Sequence, residues 1–261
     1  MDTLSGQIAV ISGGLGDIGR AIAVELAQRG ADIAIGDILE PERAADFLEE
    51  LRRLGRRACY DRVDVSDAEA VSAWVAATES ELGVPTLIIP NAAIATLANV
   101  LDITPAQWRR ELQVNLDGAF HLAQSGANRL LHHKKQGRIV FIGSWVAHAP
   151  RPHIPAYCVT KAGLRMLCKC LALELAPYGI LVNEVAPGNV DAGLSARVFA
   201  EQPELREPHI QMVPIRRLQQ AEEVAYQVAH LCDPRNQQMT GSVLLMDGGL
   251  SLLSDANPRH D

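Results

Sequence analysis

The sequence predicts an α/β fold in which a doubly wound, seven-stranded parallel sheet carries helices on both faces, in a single domain of residues 1–261. Rhythm is the first sign: short β-rich runs alternate with longer stretches whose apolar residues recur at i, i+3, i+4 and i+7. The second is that the strand runs are continuously apolar. An alternating run would leave one sheet face to water, whereas an unbroken one implies burial on both faces, hence a parallel sheet between helix layers. The third is placement, because polar and glycine residues gather just after the strand runs, along one edge of the expected sheet.

The elements follow in order. QIAVIS (7–12) is the first strand, followed by SGGLGDIG (12–19) and the helical RAIAVELAQRG. ADIAIGD (31–37) precedes the amphipathic PERAADFLEELRRLG, and RACYDRVDV (57–65) precedes DAEAVSAWVAATESELG. PTLIIP (85–90) is the fourth strand and GRIVFIG (137–143) the fifth, with a helix expected from about AYCVTKAGL. ILVNEVAP (180–187) and SVLLMDG (242–248) complete the set. Residues 192–214 break the rhythm with polar, proline-punctuated sequence, and no linker, repeat or low-complexity segment divides the chain.

Composition narrows the function. With 48% hydrophobic and 21% charged residues and a net charge of −7, the chain is an ordinary globular one that offers little to nucleic acid or an anionic membrane, both of which reward clustered Lys and Arg. The short basic run HHKKQGR (132–138) reads as a solvated helix end. No apolar stretch approaches the roughly 18 residues needed to span a bilayer. MDTLSGQIAV has no positive n-region, so no signal peptide is expected. Five cysteines, an odd number without a CxxC pair, read as reduced thiols of a cytoplasmic protein.

In a doubly wound sheet, ligands bind at the carboxyl ends of the strands. The glycine-rich turn after the first strand opens a helix, where exposed N–H groups and the helix dipole favour a pyrophosphate. Asp17, at that helix start, puts a carboxylate where an anion would sit. The reading is a working cradle with Asp17 turned outward to solvent, because Asp is favoured near a helix N-terminus and the backbone N–H groups remain. Asp37 lies 24 residues beyond Gly13, either as a simple turn former or as the acceptor of a ribose hydroxyl of NAD. Its carboxylate would repel a 2′-phosphate, and Ile38 and Leu39 offer no basic alternative, so NAD is favoured over NADP. Asp64 either caps a helix starting at Ser66 or contacts adenine. Asn91, Gly143, Ser144 and the APGNV segment (186–190) complete the edge.

Tyr157 and Lys161 stand four apart, one helical turn, so they share a face, and the ammonium favours the phenolate. A tyrosine exchanges protons with a carbinol when its hydroxyl, near 10 in isolation, is brought towards neutrality. Ser144, 13 residues before Tyr157, would donate to the substrate oxygen.

Over nearly its whole length the chain resembles the classical short-chain dehydrogenase/reductase family. The matching residues are the glycine-rich turn, Asn91 where the family has its NAG segment, Asn115 in QVNLDGAF, Ser144, YxxxK at Tyr157 and Lys161, and Pro187–Gly188. The resemblance implies a Rossmann-type sheet, a catalytic set of Asn115, Ser144, Tyr157 and Lys161, a water held by Asn115, and Lys161 on the nicotinamide ribose. It implies NAD contacts from Gly13, Leu15, Asp17, Ile18, Gly19, Asp37, Asp64, Val65, Asn91, Ala92, Pro187, Gly188 and Val190 besides Tyr157 and Lys161. Residues 192–214 become a substrate lid, and the chain a homotetramer or homodimer.

The expected activity is hydride transfer between NAD(H) and a secondary alcohol or ketone, with a sugar or polyol as the suggested substrate. A 3-oxoacyl-type ketoreductase using NADPH and a nonenzymatic NAD-binding protein stand as alternatives. Against the family pattern, Ser12 replaces threonine, Asp17 replaces a glycine, Ala93 replaces a glycine, and Ala192 stands where a threonine often holds the nicotinamide amide. In the loop 144–157, Trp145, His148 and His153 either touch substrate or pack and face solvent. No metal is expected, since His148 and His153 lack a further ligand and the reaction needs none.

Overall fold

The computed structural model describes residues 3–253. Its strands are β1 (Ile8–Ser12), β2 (Asp32–Asp37), β3 (Ala58–Arg62), β4 (Leu87–Ile89), β5 (Gly137–Ile142), β6 (Ile180–Pro187) and β7 (Val243–Met246). They form one sheet in the order β3-β2-β1-β4-β5-β6-β7, parallel throughout. The helices are α1 (Asp17–Gln28), α2 (Ala45–Arg53), α3 (Ala68–Glu81), α4 (Pro105–Leu112), α5 (Gly118–His132), α6 (Pro155–Leu175), α7 (Gly193–Glu201), α8 (Arg206–Met212) and α9 (Ala221–Cys232).

The unbroken apolar strands divide their side chains between two cores. In β1, Ala9 and Ile11 face a layer built from Ile22 and Leu26 of α1, Phe47 of α2 and Val224 and Val228 of α9. Ile8 and Val10 face the opposite layer, with Trp74 of α3, Leu122 of α5 and Leu164 and Cys168 of α6. β5 divides likewise, with Val140 and Ile142 on one side and Ile139 and Phe141 on the other. Burial of each such aliphatic side chain contributes about 1.5–3 kcal/mol, so a one-residue slip of register would be costly on both faces.

Several boundaries depart from expectation for local reasons. β3 ends at Arg62 rather than at residue 65, because Asp64 turns the chain back on itself by accepting from the Ser66 backbone N–H at 3.0 Å. The helix that follows begins at Ala68, and its cap is Asp67, which accepts from Glu69 N and Ala70 N. A cap by Asp64 on a helix starting at Ser66 is therefore corrected. β4 spans three residues, bounded by Pro85 and Pro90. Between α4 and α5 the chain widens into a π-helical turn, Gln113–Asp117, which the sequence did not foretell.

The sheet reverses direction of growth between β1 and β4, so the carboxyl ends of these two strands border a crevice. The turns after β1, β2, β4, β5 and β6 all open on this edge.

Candidate active site

The turn after β1 is locked from below. Asn91, at the end of β4, donates through Nδ2 to the carbonyls of Ser12 and Gly13, each at 3.0 Å, while Ser12 Oγ accepts from Asn91 N and Ala92 N. Gly13 has φ +62, and a Cβ there would lie 2.8 Å from Ala92 Cα, so only glycine fits. Gly16 precedes α1 with no side-chain cap. First-turn N–H groups of α1 thus lack the side-chain partner most helices provide, which is the arrangement a pyrophosphate satisfies. Leu15, Ile18 and Gly19 belong to this turn and first helical turn, and Gly19 packs against Gly13 O.

Asp17 is exposed, but it does not simply face solvent. Its Oδ2 accepts the N–H of Gly193, the first residue of α7, at 2.7 Å. The carboxylate is drawn off the turn by a residue 176 positions away.

At the end of β2, Asp37 accepts from Leu15 N at 3.1 Å and from Leu39 N at 3.3 Å. A carboxylate beside the glycine-rich turn suits a ribose diol. Sequence neighbours suggested no base nearby, but β3 supplies one. Arg62 pairs in register with Asp37, donates to Ile38 O and bridges to Glu40 at 3.1 Å.

Asp64 accepts from Ser66 N, Ser66 Oγ and Arg110 Nη2, the last at 2.9 Å from α4. Burial works against its ionisation, but the bonds from Ser66 and Arg110 outweigh this and hold the carboxyl below its ordinary range. Val65 O lies 3.0 Å from His121 Nδ1.

Asn115 sits in the π-helical turn, which aims its side chain at two neighbours. Oδ1 accepts from Ile94 N and Nδ2 donates to Ile94 O, both at 2.8 Å, and Nδ2 also donates to Thr160 Oγ1 at 3.2 Å. It thereby ties the segment after β4 to α6.

Ser144, Tyr157 and Lys161 meet at the end of β5. Ser144 is buried, with Oγ accepting from Val146 N. Lys161 Nζ donates to Ile142 O at 2.8 Å and lies 5.4 Å from the Tyr157 ring centroid. Burial pushes the Tyr157 hydroxyl up to about 12, Ser144 pulling the other way by a hydrogen bond. Burial likewise brings Lys161 down to about 8, opposed by Glu184. In the chain by itself, withdrawal from water outweighs the local favourable contacts and raises the phenol.

Beneath this group lies an ion pair that sequence reading missed. Arg165 of α6 donates through Nε and Nη2 to the two carboxylate oxygens of Glu184 on β6, at 3.0 and 2.8 Å, and through Nη2 to Ser144 O at 3.2 Å. Glu184 is fully buried, and a Cβ at Gly143 would fall 2.0 Å from its Oε1.

After β6, Gly188 N donates to Met246 O, and a Cβ at Gly188 would lie 2.6 Å from Asp247 Cα. Pro187 ends β6 and Val190 bridges to Gln219. Ala192, with no side-chain oxygen, stands at the N-cap of α7. A cavity of about 170 Å³ adjoins Gly188 and Asn189 beneath Val213 and Ile215, apart from Tyr157.

In the loop 144–157, Trp145 is 8% exposed and packs with Val146, Cys158, Leu250 and Met212 of α8, and Tyr157 rests against the same cluster. His148 and His153 are exposed, and His153 O accepts from Ala98 N. Arg151, absent from the expected contacts, reaches His209 on α8.

Comparison with known proteins shows the family. The family model described as enoyl-(acyl carrier protein) reductase matches residues 14–251. The chain is 35% identical over 246 residues to the cis-4-hydroxycyclohexanecarboxylate dehydrogenase of Sinomonas cyclohexanicum, covering 93% of this chain and 96% of that one. Among solved structures it is similar to a short-chain type dehydrogenase/reductase from Mycobacterium marinum, with a TM-score of 0.88, 29% identity and 95% and 96% coverage. It is also similar to a gluconate 5-dehydrogenase from Burkholderia cenocepacia J2315 in complex with NADP and tartrate, with a TM-score of 0.90, 30% identity and 96% and 97% coverage. The chain belongs to the short-chain dehydrogenase/reductase family, as a nicotinamide-dependent oxidoreductase of alcohols and ketones.

Proposed function

We propose that this chain is an NAD(H)-dependent dehydrogenase of a secondary alcohol and its ketone, of the sugar or polyol kind, with Tyr157 as proton donor and acceptor. The observation that carries the reading is the meeting of Ser144, Tyr157 and Lys161 at the end of β5, on the same sheet edge as the uncapped start of α1. NAD rather than NADP is supported by Asp37, whose carboxylate occupies the end of β2 and would oppose a 2′-phosphate. Arg62 is the feature that favours NADP, but it is engaged with Glu40 and Ile38 O.

Nicotinamide, when bound, would supply the hydride donor or acceptor and, when oxidised, a positive charge. Everything else falls to the chain. Ser144 orients the substrate oxygen and steadies its developing charge. Tyr157, held protonated, gives its proton to the ketone oxygen in reduction and takes it back in oxidation. Lys161 provides the cation that makes the second direction attainable, and Asn115 fixes the wall opposite through Ile94 and Thr160. Residues 192–214, here α7 and α8, serve as the lid that excludes water.

Assembly through α6 is part of the same reading. Val159, Met166 and Leu173, seven apart on one helix face, are 48%, 59% and 80% exposed, and Phe120 of α5 is also exposed. Such a stripe suits a second copy, as dimer or tetramer, which light scattering on the eluting protein measures. Four of the five cysteines are buried and all are free, in keeping with a cytoplasmic location. Among the described residues, no helix is long and apolar enough to cross a membrane.

Initial rates with NAD+ and NADP+ over a panel of polyols, sugars, steroids and hydroxyacyl thioesters test the reading. Faster turnover of a polyol or sugar with NAD+ supports it. A preference for NADPH with acyl thioesters would replace it with the ketoreductase alternative.

A further inference from the structure

Arg151 lies on the loop joining Ser144 to Tyr157, and its backbone is held from beside the phenol. Its N–H donates to Cys158 Sγ at 3.5 Å, and Cys158 Sγ donates back to Arg151 O at 3.8 Å. The guanidinium then crosses to the lid, where Nη2 lies 2.6 Å from His209 Nε2 on α8. His209 Nδ1 is 2.7 Å from Leu205 O, so Nδ1 carries the hydrogen and Nε2 accepts from the arginine. Burial, and then Arg151 itself, lower the pKa of His209 and keep the ring neutral, and Phe199 packs edge-on against it at 5.2 Å. No negative charge enters the arrangement from either side.

The cation is left uncompensated. Nη1 of Arg151 is buried without a hydrogen-bond partner, and among the described residues no carboxylate pairs with this guanidinium. Arg151 is half-buried, and a charge partly withdrawn from water without a counter-ion is unfavourable unless something else completes it. The cluster formed by the same loop and α8, with Trp145, Val146, Ile154 and Met212, is apolar and offers no counter-charge. What would complete the guanidinium is an anion placed between this loop, which joins Ser144 to Tyr157, and α8.

We propose that Arg151 binds a carboxylate of the substrate, and that the substrate class of this enzyme is hydroxy acids and their keto counterparts. A single guanidinium with a neutral histidine matches a planar monoanion taken in the fork of its donors, whereas a phosphate dianion calls for further cations. The proposal rests on Ser144 and Tyr157 being the reacting pair, since it gives the anionic end of the molecule they turn over.

The test uses the full-length protein with NAD+ and matched pairs, such as a cyclic hydroxy acid and its carboxamide, together with a sugar phosphate. The expected result is turnover of acids in preference to amides, and a loss of about 30- to 100-fold in kcat/KM for the acid in Arg151→Gln with little change for the amide. Arg151→Lys should keep part of the preference. Equal losses on acid and amide would mean that Arg151 only props the lid through His209, and would overturn the proposal, as would wild-type protein turning over the amide as well as the acid. A sugar phosphate that outperforms every carboxylate would also overturn it. Titration calorimetry of the same acids with coenzyme-saturated wild type and Arg151→Gln separates the two readings. If acids bind the wild type and not the variant while nothing is turned over, the carboxylate site stands and the activity fails. If no acid binds, the site fails even where neutral alcohols are oxidised.

Discussion

Two arginines, one beneath Ser144 and one on the loop that follows it, meet different circumstances. Beneath Ser144, Arg165 has a counter-ion: Nε and Nη2 meet both carboxylate oxygens of Glu184 and Nη2 reaches the serine's own carbonyl, although Nη1 is buried without a partner here too. On the far side, Arg151 has a neutral histidine for one Nη and nothing for the other. The floor of the site is thus electrically closed by residues on α6 and β6, two neighbouring elements of the rigid sheet layer. The wall is open, and its two contributors come from a loop and from the lid. A buried cation closed within the protein is architecture, and one left open by it is an invitation to a ligand.

Tyr157 stands between floor and wall, and its removal sets the scale for both. Tyr157→Phe should lower kcat by about 10²–10⁴-fold with coenzyme binding retained, measured by steady-state rates and by quenching of protein fluorescence. Unchanged turnover would remove the phenol from the chemistry. Breaking the floor comes next. Glu184→Ala leaves Arg165 buried and unpaired and should cost about 3–5 kcal/mol in urea unfolding, while the double substitution Arg165→Met with Glu184→Leu should recover most of this. A double variant no more stable than the single one would mean that the pair contributes by shape rather than charge.

Lys161 gives the floor a pH signature. Its amine is near 8 in the fold and 10.5 when free, so between these values the unfolded chain binds more protons and stability rises with pH. Below pH 8 the fold must hold a buried ammonium. Lys161→Met should therefore be more stable than wild type there, by up to about 3 kcal/mol, the gap closing as pH approaches 10.5. The smallest effect belongs to the other end of the lid. Asp17→Asn weakens the bond to Gly193 N and should raise the substrate KM by about 2- to 10-fold with only a modest change in NAD affinity. Restoration of activity from near zero would instead show that the carboxylate obstructs the pyrophosphate.

The same contrast governs what could be read from sequence. β1 and β5 were the most legible strands because each is apolar on both faces, a property carried within five or six residues. Tyr157 and Lys161 were read as a spacing, and Asn115 only through the family resemblance. What escaped depends on distant partners. For Asp64 the cap and the adenine contact both stayed open, and its bond to Arg110, 46 positions on, is invisible locally. The π-helical turn leaves no periodic mark. Arg165 meets Glu184 only because β6 lies beside β5, and Arg151 meets His209, 58 positions away, only when α8 folds over the loop. The direction of the Tyr157 shift escaped for another reason: burial is a collective property, and no spacing of two residues reports it.

The bond from Arg165 to Ser144 O has a bearing on redesign. It pins the serine from the sheet side, independently of whatever follows it in the chain, and Cys158 pins the other end of the loop through Arg151. Residues 147–150, between the buried Trp145–Val146 pair and the anchored Arg151, therefore form an exchangeable cassette, and new substrate ranges can be engineered there while the proton-transfer geometry stays where it is.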